Sequence, residues 1–207
     1  MGRMILVPRL YAIVDSTHFH DTGALCAYVE ELIGGGATLL QYRNKKGQAR
    51  EMLDHARALR AAVGKRAKLI MNDRADLCLA ADFDGLHVGQ DDLSPNTARA
   101  IIGEHRWLGV STHNPEQLRT AGNTSCDYVA IGPIFDTRSK EKPDPVVGLE
   151  GIRKARELTA KPLVAIGGIT RGTARSVIEA GADSVAIISD LVSEPRKSAE
   201  EFFAILG

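Results

Sequence analysis

A chain of 207 residues has room for one full-sized domain and hardly for two. With 44% hydrophobic and 25% charged residues it can bury a sizeable core, which excludes a disordered or fibrous chain. Its 26 basic side chains balance 26 acidic ones, so it lacks the basic excess of a nucleic-acid or anionic-membrane binder. No apolar run approaches the roughly 20 residues of a membrane span, and Met1-Gly2-Arg3-Met4 does not begin a secretory signal. Cys26, Cys78 and Cys126 are odd in number and widely spaced, which offers neither a disulfide framework nor a zinc pair. These features predict a soluble, cytoplasmic protein forming a single domain over residues 1–207.

Short runs rich in valine, isoleucine and leucine recur along the chain, each followed by a stretch of helical period. They cover Leu10–Val14, Leu39–Arg43, Lys68–Asp73, Gly85–Gly89, Trp107–Ser111, Tyr128–Ile134, Leu163–Gly167 and Ser184–Ser189. Near-continuous apolarity, rather than alternation, marks strands buried on both faces. Between them, Met52, Ala56, Leu59 and Val63 keep helical spacing, as do Ile152, Ala155 and Leu158. Glycines at Gly34-Gly35-Gly36, Gly85 and Gly181 suit left-handed helix ends. The last helix is expected over Glu200–Leu206.

Eight strand–helix units can close into a barrel or open into a doubly wound sheet. An open dinucleotide-binding sheet would carry a glycine fingerprint after the first strand, where Asp15-Ser16-Thr17-His18 stands instead. The expected fold is therefore α/β, a compact (β/α)8 TIM barrel, at the small end of its size range.

Such barrels work at the C-terminal ends of their strands. Polar residues gather at those ends and are not expected elsewhere along the strands: Asp15, Gln41, Arg43, Asn72, Asp73, His87, Gln90, Asp92, Ser111, His113, Thr137, Ser139, Lys140, Gly167-Gly168 and Ser189. Gln41, Arg43 and Lys45 share one face at period two, and Lys140 adds a charge from another loop. That cationic wall suits an oligophosphate. Asp73 and Asp92 end neighbouring strands and would either pair with the cations or hold a hard divalent ion such as magnesium. Gly167-Gly168-Ile169-Thr170 opens a helix, where backbone amides can take a monophosphate, and Ile188-Ser189 would close that site. His87 reads as a hydrogen-bonded wall residue, His113 as a candidate ligand contact, and no histidine as a general base.

Taken together, Gln41-Tyr42-Arg43-Asn44-Lys45, Asn72-Asp73, His87-Val88-Gly89-Gln90-Asp91-Asp92, Gly109-Val110-Ser111-Thr112-His113, Gly132 through Lys140 and Ile166-Gly167-Gly168-Ile169-Thr170 resemble the thiamine phosphate synthase family. The resemblance runs from the first strand to the last helix. It implies a transferase that joins hydroxymethylpyrimidine pyrophosphate to thiazole phosphate with magnesium, through a dissociative, carbocation-like pyrimidine. By motif, Asp73 and Asp92 correspond to metal ligands. Gln41, Arg43, Lys45, Asn72, Ser111 and Lys140 correspond to pyrimidine-pyrophosphate contacts, with Lys140, Ser111 and Arg43 as the catalytic set. Thr137, Ser139, Gly168, Ile188 and Ser189 correspond to the thiazole-phosphate site. Ser139 stands where the family often has threonine, which keeps the hydroxyl. The rival readings are a thiazole tautomerase on the same barrel, which would dispense with the pyrophosphate and metal residues, and a non-enzymatic phosphate-ligand or RNA-binding barrel. The nine basic residues from Arg43 to Lys68 are the support for the last. The expected partners are two phosphorylated small molecules, with no nucleic acid and no membrane, and homo-oligomerisation is left open.

Overall fold

The computed structural model describes residues 5–137 and 144–207. Eight parallel strands close in sequence order into a barrel: β1 Leu10–Asp15, β2 Leu39–Arg43, β3 Lys68–Asn72, β4 Gly85–Val88, β5 Trp107–Thr112, β6 Tyr128–Ile131, β7 Leu163–Ile166 and β8 Ser184–Ile187. The helices alternating with them are α1 Thr22–Gly34, α2 Ala49–Val63, α3 Ala75–Ala80, α4 Pro95–Ile102, α5 Pro115–Gly122, α6 Gly148–Leu158, α7 Arg171–Glu179 and α8 Pro195–Leu206. The (β/α)8 barrel expected from the sequence is the observed fold.

Strand period two divides the core into two shells. Tyr11, Ile13, Leu39, Ile70, Trp107, Tyr128, Ala130, Val164 and Ala186 fill the lumen, together with Ile5 and Val7. Their neighbours Leu10, Ala12, Val14, Leu40, Tyr42, Leu69 and Met71 face the helices. Both faces are dry, which is why the strands read as unbroken apolar runs. On the helix side, α2 packs Met52, Ala56, Leu59 and Val63 inward at helical spacing and stops at Gly64, whose φ of 57° suits glycine. Ser94 and Asn114 cap α4 and α5 by accepting from Thr97 N and Gln117 N, and each helix then begins with proline. The last helix begins five residues earlier than expected, at Pro195, a residue pre-set for a first turn.

A repeated ion pair ties alternate units together. Asp84, Asp127 and Asp183 each precede an even-numbered strand and accept the N–H of Leu69, Leu108 or Leu163. The same carboxylates take Arg60 of α2, Arg99 of α4 and Arg156 of α6, at 2.9, 2.7 and 2.8 Å. Part of the basic run from Arg43 to Lys68 serves structure: Arg60 pairs with Asp84, Arg66 with Glu30, and Lys68 lies over the Trp107 ring.

Three local expectations change. Gly85 is the first residue of β4 and not a left-handed helix end; the left-handed residue in that turn is Asp82, with φ 50°. Gly85 is needed for close packing, since a Cβ there would sit 2.6 Å from the Trp107 carbonyl and 2.7 Å from Ile70 Cδ1. Strand β6 ends at Ile131 because Pro133 has no N–H to continue the ladder. Strand β8 ends at Ile187, where Ile188 turns helical and leads into a 3-10 turn over Ser189–Leu191. No helix among the described residues is long and apolar enough to cross a membrane.

Candidate active site

The two sides of the barrel mouth are built by different loops. On one side, β1 and β2 pair so that Asp15 faces Arg43 directly in register. The Arg43 guanidinium forms an ion pair with Asp15, and both are mostly buried, 17% and 6% exposed. Burial opposes the Asp15 charge, but the Thr17 hydroxyl and amide and the Arg43 guanidinium outweigh it and hold the carboxyl below the usual range. Arg43 is therefore a fixed cation at the mouth rather than a solvated one. Asp15 was visible in the sequence as a strand-end acid but not as the partner of Arg43.

Lys45 reaches across to Asp73 at 2.5 Å. Asp73 sits just past β3 with φ 62°, a left-handed conformation that aspartate tolerates better than most side chains. Its N–H donates to His87 O at 2.8 Å, which fixes that turn. The Asp92 carboxyl lies within hydrogen-bonding reach of Asp73 and also accepts from Gly89 N at 2.8 Å. Burial first, and then the Asp92 carboxyl, push the Asp73 pKa up against the pull of Lys45. Two carboxyls in contact need a shared proton or a cation between them. Next to them the buried Asn72 amide nitrogen has no hydrogen-bond partner, an orphan donor that a ligand oxygen would satisfy. Among the described residues no group of three or more His, Cys, Asp and Glu could cage a metal. The donor set is thus two carboxylates, a set that suits magnesium completed by water and ligand oxygens.

The wall between these elements is neutral. Gln41 Nε2 donates to Tyr11 OH at 2.8 Å, Tyr11 OH meets Tyr128 OH at 2.9 Å, and His87 bridges Tyr128 OH at 3.0 Å to Ser111 Oγ at 2.9 Å. Burial holds the His87 pKa down to about 4, so it is the satisfied wall histidine expected. The tyrosines correct the expectation that polar groups occupy strand ends alone. His113 places Nδ1 2.6 Å from Gly132 O, bracing the end of β5 against the segment after β6.

On the other side, three loops converge. Ile134 N and Phe135 N donate to Ile166 O and Gly167 O at 2.9 and 3.0 Å, zipping the segment that leads to Thr137 onto the end of β7. Gly168, at φ 66°, lies so close to that segment that a Cβ would meet Asp136 O at 2.4 Å. Arg171, which opens α7, donates through its backbone N and its Nε to Asp190 at 2.8 and 3.1 Å, binding the loop after β7 to the turn that contains Ser189. Thr137, Gly168, Ile188 and Ser189 are thereby gathered at one rim. Ser139 and Lys140 lie outside the described residues.

Barrel and mouth together define an enzyme class: a (β/α)8 enzyme whose rim suits phosphorylated ligands. The family model described as thiamine monophosphate synthase matches residues 10–191. The thiamine-phosphate synthase of Koribacter versatilis is 57% identical over 209 residues, covering 100% of this chain and 99% of its own. That of Halalkalibacterium halodurans is 43% identical, covering 96% and 94%. The solved thiamine phosphate pyrophosphorylase of Pyrococcus furiosus superposes with a TM-score of 0.85 at 33% identity, covering 96% and 95%. The chain belongs to the thiamine monophosphate synthase family and is a transferase of thiamine biosynthesis.

Proposed function

We propose that this chain condenses hydroxymethylpyrimidine pyrophosphate with thiazole phosphate, releasing thiamine phosphate and pyrophosphate. The observation that carries the reading is the division of one mouth between a cation–carboxylate side and a glycine-loop side. On the first, Arg43 and Lys45 neutralise the pyrophosphate while Gln41, Asn72 and Ser111 hold the pyrimidine end. On the second, Thr137, Gly168, Ile188 and Ser189 hold the thiazole phosphate. By motif alone, Lys140 joins the pyrophosphate contacts and Ser139 the thiazole-phosphate contacts. Asp73 and Asp92 would hold magnesium, which when bound supplies further positive charge to the departing pyrophosphate.

The chemistry asks little acid–base work of the protein. A thiazole ring nitrogen attacks the pyrimidine methylene without losing a proton, so no general base is required. That agrees with a buried, neutral His87 and with carboxylates already engaged with Lys45 and each other. In a dissociative reaction negative charge grows on the leaving group, where preorganised cations act most strongly. Arg43, pinned by Asp15, costs no reorganisation at that moment. Lys140, Ser111 and Arg43 are the catalytic residues of this reading. Three free cysteines support a cytoplasmic setting for it.

The test is incubation of the purified protein with both phosphorylated heterocycles and magnesium. Thiamine phosphate is the expected product. Isomerisation of thiazole phosphate alone, with no thiamine phosphate formed from the pair, would overturn the reading in favour of a tautomerase.

A further inference from the structure

The neutral wall has a direction. Gln41 Nε2 can only donate, and it donates to the Tyr11 hydroxyl. Tyr11 is buried at 1% exposure, and its single proton is satisfied by passing on to Tyr128 OH. Tyr128, fully buried, must then place its proton on His87 Nδ1. That nitrogen is consequently the bare one, and the ring proton sits on Nε2, where it is donated to Ser111 Oγ. Ser111 Oγ, having accepted, keeps its own proton for an acceptor at the mouth.

We propose that Tyr11, Tyr128 and His87 are positioning residues: their one-way chain from Gln41 to Ser111 locks His87 as the Nε2–H tautomer and makes the Ser111 hydroxyl a dedicated donor to the bound pyrimidine pyrophosphate. The proposal rests on the function proposed above and deepens it. The chain crosses the lumen through β2, β1, β6, β4 and β5 and joins two residues assigned above to the pyrimidine-pyrophosphate site through three buried ones. The backbone is cut to fit it. His87, Gly109 and Tyr128 stand in one register row, and the middle position has no side chain. A Cβ on Gly109 would lie 2.1 Å from Tyr128 Cζ and 2.4 Å from His87 Nδ1, so only glycine lets the two rings meet. The His87 and Tyr128 rings pack at 5.5 Å between centroids, and Tyr11 meets Tyr128 edge-on at 6.1 Å, so the three rings are held against one another.

The first readout needs no substrate. Long-range nitrogen-15 spectra of the free wild-type protein at neutral pH should show His87 as a single Nε2–H tautomer, and an Nδ1–H ring would overturn the proposal. The second readout is kinetic coupling. Tyr128→Phe removes one hydroxyl and should release the tautomer preference. It should also lower turnover about tenfold with little change in the thiazole-phosphate KM, the size expected for one misdirected hydrogen bond. Ser111→Ala in that background should add little further, because the donor is already misdirected. Fully multiplicative losses from the two substitutions would contradict the chain, even with the tautomer as expected. Failure of the wild type to make thiamine phosphate would sink the proposed reaction instead, and the tautomer spectrum would still decide the hydrogen-bond chain.

Discussion

Replacing Gly168 by alanine puts a methyl group where the backbone leaves none. Its φ of 66° costs an L-residue about 1–2 kcal/mol. The added Cβ would lie 2.4 Å from the Asp136 carbonyl oxygen and 2.8 Å from Phe135 Cβ, and both partners belong to the adjacent loop. Relieving that overlap requires backbone movement, worth about a further 1–3 kcal/mol. The total, about 2–5 kcal/mol, corresponds to a Tm lowered by roughly 5–15 °C in a chain of this size. The functional effect follows from which backbone moves. Phe135 N is bonded to Gly167 O, so displacing Asp136 carries Thr137 away from the same rim. The thiazole phosphate then loses aligned contacts from two loops. Its KM should rise about tenfold or more, while kcat and the pyrimidine-pyrophosphate KM change less. Thermal unfolding paired with steady-state kinetics, each substrate varied in turn, measures both. A lowered Tm with an unchanged thiazole-phosphate KM would mean that the glycine serves packing alone. An unchanged Tm would refute the steric argument itself.

Asp127→Ala leaves Arg99, 7% exposed, without its carboxylate. Denaturant melts should show a loss of about 3–5 kcal/mol with kcat preserved, and a loss below about 1 kcal/mol would contradict the pairing argument. Asp92→Asn removes one charged oxygen from an exposed loop and should cut kcat at least about tenfold at an unchanged Tm; unfolding at unchanged specific activity would make Asp92 structural. The folded His87 ring takes a proton only near pH 4, and the unfolded ring does so near 6.5, so protons favour the unfolded chain between them. Stability should therefore fall as pH drops from about 6.5 towards 4, by on the order of 3 kcal/mol, and His87→Gln should remove that part of the slope. Lys140→Ala should depress kcat more than the thiazole-phosphate KM, since a charge that meets the leaving group acts in the transition state; a rise in that KM with kcat spared would reassign the loop.

All eight strands were legible because strands dry on both faces carry their signal locally, as unbroken apolar runs such as Leu39–Tyr42. Asp15, Arg43 and Asp73 were legible as residues of the mouth for the same reason, since they close or follow the runs of β1, β2 and β3. What the chain does not announce is pairing at a distance. Asp15 and Arg43 meet through a register that only barrel closure defines. Tyr11 and Tyr128, 117 positions apart, meet across the lumen, where an aliphatic residue would have matched the pattern as well. The available signal was two tyrosines in otherwise aliphatic strands, with a glycine, Gly109, on the strand between His87 and Tyr128. Gly85 misled because a glycine demanded by packing looks, in sequence, like one demanded by φ.

The central claim is that one barrel mouth joins two phosphorylated heterocycles with loss of pyrophosphate. A single-turnover experiment, with the protein in excess over hydroxymethylpyrimidine pyrophosphate and with thiazole phosphate and magnesium present, tests it most directly. Pyrophosphate and thiamine phosphate should appear at the same rate and in equal amounts, and neither should form when thiazole phosphate alone is supplied. Pyrophosphate released in the presence of both substrates without matching thiamine phosphate would contradict the account.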